Sequence, residues 1–188
     1  MIYYLIASIL IAVTALFART KRAVLAAGIL FYAVQIAAAG LLLWGGLYDT
    51  TSAAFFTFDA LGTLFYLLLV VVSMYVFGHS EAYLQGEDLR SYRLYFALLM
   101  LLTTAIAGAY FANNLAVTWI FLEATTLCSA GIIYHRRTAQ ALEAAWKYVF
   151  VCSTGIAMAY LCILLRAAAT KCETLAYEAG AEAASSGN

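Results

Sequence analysis

Six long apolar runs make up most of this chain, and short polar segments separate them. A helix needs roughly 17–25 predominantly apolar residues to cross a bilayer. The runs at 2–18, 23–46, 57–78, 92–112, 114–134 and 144–165 meet that requirement. The first ends at Arg19-Thr20-Lys21-Arg22 and the second at Gly45-Gly46. The turn Gly-Leu-Tyr-Asp-Thr-Thr-Ser at 46–52 separates the second from the third, and the polar stretch from His79 to Arg90 separates the third from the fourth. Only Asn113-Asn114 joins the fourth to the fifth. The pattern predicts an all-α, polytopic membrane bundle of about six transmembrane helices over 1–166, followed by a polar tail over 167–188. The tail, rich in Ala and Glu, reads as a short interfacial helix fraying into a disordered end.

No tandem repeat is visible, and the chain has no proline, so helices broken at proline are not expected. Gly108 and Gly155 are the positions where a helix could open, with close helix packing the expected use. Composition supports the membrane reading: 66% of residues are hydrophobic, 11% are charged and mean hydropathy is +0.92. Soluble domains run near 45–50% apolar and about 25% charged. Formal net charge is zero, so no basic footprint points to nucleic acid. Cys128, Cys152, Cys162 and Cys172 form no CxxC and no Cys/His cluster. Neither a metal nor an iron–sulfur cluster is indicated, and no cofactor is expected on this chain. Cys128, Cys152 and Cys162 fall in apolar runs, where a free thiol packs as a small hydrophobe.

Nothing basic precedes the first run and three basic residues follow it. A secretory signal peptide has the reverse order, so this run reads as a retained helix with its N-terminus outside the cytoplasmic (inner) membrane. The inner loops are then 19–22, 79–93 and 135–143, and hold Arg19, Lys21, Arg22, Arg90, Arg93, Arg136 and Arg137. Only Arg166 and Lys171 lie outside. That bias follows the positive-inside rule, and the C-terminus also falls outside.

Against this apolar background a few polar residues stand out. Glu123 sits near the middle of the fifth run, with no basic residue close in sequence. A charge at that depth costs at least roughly 2.5–3.5 kcal/mol. Its functional reading is a proton-carrying carboxylate, because proton affinity depends on how dry the surroundings are and how near a cation lies. The bland reading is a protonated acid bonded to a backbone carbonyl. Lys147 lies about one turn into the sixth run, roughly 6 Å deep, against roughly 16 Å for Glu123. The offset of about 10 Å means that direct contact needs the lysine to reach inward or a water to bridge. Snorkelling to the interface is the competing reading for Lys147. Glu143 precedes it by four residues, in the favourable order for a helical pair.

Asp59 opens the third run and reads first as an acid favoured by a helix N-terminus. His135 follows the fifth run beside Arg136-Arg137. It could pass protons, or simply sit in a loop at the headgroup level. Trp44, Trp119 and Trp146 suit interfacial belts. No residue set marks a catalytic centre.

Two stretches carry a resemblance. Asn114-Leu-Ala-Val-Thr-Trp-Ile-Phe-Leu-Glu123-Ala-Thr-Thr-Leu is followed by Tyr134-His-Arg-Arg-Thr-Ala-Gln-Ala-Leu-Glu143-Ala-Ala-Trp-Lys147-Tyr-Val-Phe-Val-Cys-Ser-Thr-Gly155-Ile-Ala. Together they resemble the antiporter-like membrane subunits: the proton-pumping subunits of respiratory complex I, the Mrp antiporters and the membrane-bound hydrogenases. Within that superfamily they are most similar to the F-type branch of hydrogenase-4. Asp59-Ala-Leu-Gly-Thr-Leu-Phe-Tyr is similar to the family's third helix. The likeness runs over roughly 55–165.

The resemblance implies that Glu123 matches the family's glutamate on the fifth helix and Lys147 its lysine on the sixth. Such a pair modulates a central lysine on a later, broken helix. Family members have about 14 helices, whereas this sequence stops after its sixth. A fragment, a split subunit completed by a companion membrane chain, and a truncated relic are the three readings of that difference. One transporter repeat cannot form a full path alone, because the sites lie at repeat interfaces.

The expected function is therefore a membrane subunit, or its N-terminal part, of a redox-driven ion pump moving H⁺ or Na⁺. Hydrogenase-type peripheral subunits and other membrane subunits would be its partners, and the redox chemistry would sit on them. The alternative is a non-pumping scaffold or relic that docks other subunits. A quinone-binding anchor is a third, weaker reading, since His79 and His135 are expected in loops and cannot form a facing haem-ligand pair.

Overall fold

A computed structural model describes residues 2–44, 56–84 and 86–170. Among these residues six α-helices form: α1 (Ile2–Phe17), α2 (Lys21–Leu43), α3 (Ala60–Tyr83), α4 (Leu89–Phe111), α5 (Leu115–Ile133) and α6 (Ala139–Thr170). No strand occurs among the described residues beyond an isolated bridge between Phe56 and Ala112. The expected turn at 46–52 and the tail from 171 onward lie outside the described residues.

Without proline, α2, α5 and α6 begin at side-chain caps, whereas Asp59 and Asp88 at the starts of α3 and α4 make no side-chain capping bond. Thr20 Oγ accepts from Ala23 N at 3.2 Å and starts α2. Asn114 Oδ1 accepts from Ala116 N at 2.9 Å and starts α5. Thr138 Oγ accepts from Ala141 N at 3.1 Å and starts α6. Each side chain satisfies an amide that the first helical turn leaves without an intrahelical partner. Between α5 and α6 the chain makes one 3₁₀ turn, Tyr134–Arg136. It reverses at Arg137, which adopts the left-handed conformation with φ 53°.

Five helices, α2 to α6, contain stretches long and apolar enough to span a membrane. α1 is shorter, at 16 residues, or roughly 24 Å against a hydrocarbon thickness of about 30 Å. Four helices overrun the apolar runs that announce them. α2 begins at Lys21 rather than 23, and α3 continues through His79, Ser80 and Glu81 to Tyr83. α4 begins at Leu89 rather than 92, so that Arg90 and Arg93 are both helical, and α6 runs from Ala139 to Thr170 rather than from 144 to 165. Backbone bonding and caps set a helix end, and the apolar run marks only its dry part. His79 is accordingly helical, exposed on α3, with its ring stacked on Tyr75 at 6.4 Å.

α4 packs against α1, α2, α3 and α5. One apolar cluster joins α1–α4 through Phe31, Tyr32, Phe77, Phe96 and Met100. A second, toward the other end, joins Leu42, Tyr66, Val70 and Phe111. Small residues bring the helices together, as expected where packing rather than water drives association. A Cβ on Gly28 of α2 would lie 2.2 Å from the Phe77 ring of α3. A Cβ on Gly108 of α4 would lie 2.4 Å from the Phe121 ring of α5. α6 packs along α5, and Ala145 is its one buried residue among those described.

Candidate functional site

α5 and α6 carry the polar residues singled out from the sequence. Glu123 lies near the centre of α5 and is half-buried. Its Oε1 accepts a hydrogen bond from Ser153 Oγ of α6 at 2.6 Å. The two helices run antiparallel, and Trp119 of α5 stacks on Tyr160 of α6 with ring centroids 4.6 Å apart. Trp119 thus packs in the α5–α6 contact, whereas Trp44 and Trp146 are exposed. Glu123 and Phe121 lie two residues apart, so they point to nearly opposite sides of α5. Phe121 meets Gly108 of α4, and Glu123 meets Ser153 of α6.

Lys147 is not brought to Glu123. Its Nζ donates to Glu143 Oε1 one turn earlier, at 2.5 Å, and the two side chains are 68% and 62% exposed. Ser153 stands six residues beyond Lys147, an axial distance of about 9 Å and an azimuth of about 120°. The axial offset agrees with the depth difference expected from sequence. The azimuth is the new element. Ala145, Val149, Ile156 and Tyr160 are the buried or half-buried positions on the α5 side, and Lys147 projects from the far side. Thr154 and Gly155 are exposed there too, and a Cβ on Gly155 would meet nothing within 4 Å. Gly108 is therefore a packing glycine, while Gly155 packs against nothing among the described residues.

His135 is not a loop histidine at the surface. It is 7% exposed, held by the 3₁₀ turn beneath Tyr95 and Tyr83, whose ring centroids lie 5.3 Å and 6.4 Å away. Nδ1 is bonded to the Ile132 carbonyl at 2.8 Å, while Nε2 meets no hydrogen-bond partner among the described residues. Arg136 Nε pairs with Glu87 at 3.2 Å and its guanidinium lies over the Tyr83 ring, closing the site from outside. His135, Glu123 and Lys147 occupy three separate places. Asp59 is exposed, at the N-cap of α3 with no side-chain capping bond. Its carbonyl accepts from the Thr63 amide and hydroxyl.

Sequence reasoning misses two polar residues. Ser153 lies inside the resembling motif, but small hydroxyls are common in apolar helices and nothing marks one as a partner. Gln35 is fully buried on α2, and its Oε1 accepts from the Tyr4 and Tyr66 hydroxyls, each at 2.6 Å. A single amide amid an apolar run is the signal that could have found it. Cys128 and Cys152 are half-buried and Cys162 is exposed, all as free thiols. No group of three or more His, Cys, Asp or Glu side chains is arranged to hold a metal among the described residues.

No protein-family model matches this chain. It is similar to the hydrogenase-4 component F homolog of Methylacidiphilum infernorum (isolate V4), 30% identical over 112 residues. The alignment covers 56% of this chain, and the chain spans 24% of that relative's length. This similarity supports the resemblance to antiporter-like membrane subunits, and with the long apolar helices it identifies a multi-pass membrane protein.

Proposed function

We propose that this chain is a membrane subunit, or the N-terminal part of one, in a redox-driven ion-pumping complex such as a membrane-bound hydrogenase, and that Glu123 is its proton-carrying group. The observation that carries the reading is the bond between Glu123 and Ser153 across the α5–α6 contact, near mid-span. A serine hydroxyl both donates and accepts. It can donate to the carboxylate or accept from the carboxylic acid, so the pair keeps its bond in either protonation state. A group that gains and loses a proton at that depth needs such a partner, since an unsatisfied polar atom there costs several kcal/mol, on the order of a lost hydrogen bond or more.

Lys147 acts with Glu123 in this reading through the charge it carries on the far side of α6, paired with Glu143. The uncovered face bearing that ion pair, Thr154 and Gly155 is where a companion membrane chain would dock and supply the further helices of an antiporter-like unit. Ion pairs within membranes are rarely left facing lipid. The redox chemistry belongs to peripheral, hydrogenase-type partners, and the translocated ion is H⁺ or Na⁺. The scaffold reading draws its support from the same face, since a helix presenting small and polar residues can dock a neighbour without moving an ion.

The test is Glu123→Gln in the native complex reconstituted in proteoliposomes. Ser153 can still donate to the amide oxygen, so assembly persists while coupled ion transport is lost. Full pumping by this variant would refute the assignment and leave the scaffold reading standing.

A further inference from the structure

The basic end of the bundle, away from the α5–α6 contact, carries a pocket that the proposed function does not use. It is about 160 Å³ in volume and lined by Lys21, Arg22 and Leu25 of α2, Glu81 of α3 and Tyr92 of α4. Its shape follows from packing. Gly28 of α2 receives the Phe77 ring of α3, and the pocket opens beyond that contact, between the start of α2 and the end of α3. Lys21 opens α2, and Glu81 lies two residues from the end of α3. The polar residues therefore sit where headgroups lie, and Leu25 sits one helical turn, about 5.4 Å, deeper.

The lining is charged in both senses. The Lys21 ammonium is fixed from two sides, donating to the Glu87 carbonyl at 2.6 Å and lying 5.5 Å from the Tyr92 ring centroid. Arg22 is exposed beside it and Glu81 is half-buried opposite. Two cations suit a phosphate, which basic pockets between membrane helices bind. A carboxylate in the same pocket disfavours a purely anionic headgroup and suits a cation capable of donating hydrogen bonds.

We infer that this pocket binds a phospholipid whose headgroup carries both a phosphodiester and a primary ammonium, as in phosphatidylethanolamine. Lys21 and Arg22 take the phosphate, Glu81 takes the ammonium, and Leu25 meets the start of the acyl chain. A choline headgroup has no N–H to give to Glu81, and a glycerol headgroup has no cation.

The experiment uses the full chain in nanodiscs containing ethanolamine, choline or glycerol phospholipids, with retained lipid counted by native mass spectrometry. The ethanolamine lipid is retained over the other two. Glu81→Gln removes that preference and favours the anionic glycerol lipid. Arg22→Gln, at an exposed site that leaves the fold intact, lowers retention of every phosphate-bearing lipid about fivefold. Circular dichroism of each variant checks that the helices persist. Equal retention of ethanolamine and choline lipids overturns the inference, as does an unchanged preference in Glu81→Gln. Displacement of the lipid by free inorganic phosphate at matched concentration also overturns it.

Discussion

Gly108→Ala tests whether the α4–α5 contact positions the candidate site. A Cβ at Gly108 would lie 2.4, 2.6 and 2.7 Å from three atoms of the Phe121 ring. Carbon atoms pack best near 3.5–4.0 Å, so the ring must retreat by about 1 Å. It has little freedom to do so, because Phe121 packs against the cluster around Tyr66 and Phe111, with its ring 6.2 Å from that of Phe56. Overpacking of this kind costs typically about 1–3 kcal/mol. Replacing a helical glycine by alanine returns up to about 1 kcal/mol through backbone entropy. The overpacking term is the larger, and a net loss of about 1–2 kcal/mol is expected. In a Phe121→Ala background the ring is gone, and the same change should stabilise by about 0.5–1 kcal/mol. The measurement is a double-mutant cycle from denaturant unfolding in detergent, followed by helical circular dichroism. In proteoliposomes of the complex, Gly108→Ala should also lower transport, because Glu123 is two residues from the displaced ring. Equal effects of Gly108→Ala in the two backgrounds would refute the packing argument.

The remaining predictions concern the faces of α5 and α6 and the turn between them. Lys147→Gln should change the stability of the isolated chain by no more than about 0.5 kcal/mol, as for an exposed i,i+4 pair, yet impair transport in the complex; a large loss in the isolated chain would mean that Lys147 is structural. Gly155→Leu should stabilise the isolated chain by about 0.5–1 kcal/mol through helix propensity, because a Cβ there meets nothing within 4 Å, but should reduce copurification of a companion membrane chain. Undiminished copurification would argue against docking on that face. His135→Ala should cost about 2 kcal/mol or more by emptying the space beneath Tyr95 and Tyr83, with thermal unfolding as the readout; a neutral outcome would contradict the buried placement.

The helices are legible in the sequence because a spanning segment declares itself by length and apolarity alone. Their ends are less so. The stretch from His79 to Tyr83 and the segment from Ala139 to Glu143 read as loop, yet the backbone stays helical through both. A helix leaving the hydrocarbon can continue wherever a cap or a favourable sequence permits, and Thr138 supplies that cap for α6. His135 departs from expectation for a related reason. Its position beside two arginines suggests the surface, but the reversal at Arg137 turns the imidazole under Tyr95 while Arg136 reaches Glu87. That arrangement depends on α3 and α4, which local sequence does not report.

The azimuth of α6 is the harder matter, and it decides what the site is. In water, the larger apolar side chains would mark the buried face. Here Trp146, Phe150, Met158, Leu161 and Leu165 are exposed, while the α5 side presents Ala145, Val149, Ser153 and Ile156. Lipid is as apolar as leucine, so large side chains gain nothing by turning inward, and smaller ones allow the helices to approach. With apolar residues on every side, periodicity carries no information about orientation. The depth of Lys147 relative to Glu123 can be read from sequence, since depth needs only the rise per residue. That α6 turns Ser153 toward the carboxylate and Lys147 away from it cannot. This rotation makes the glutamate's immediate partner a neutral hydroxyl and leaves the lysine, with Glu143, for whatever covers the other face. Any influence of Lys147 on Glu123 must then act across the width of a helix and along about 9 Å of its axis, at roughly 13 Å. At an effective dielectric constant of about 20 a lone charge at that distance is worth about 1.3 kcal/mol. Glu143 beside the lysine cancels much of it, so the influence becomes appreciable only when that ion pair opens. A chain in which Glu143→Gln leaves transport and its pH profile unchanged would show that Glu123 works without hearing Lys147 at all.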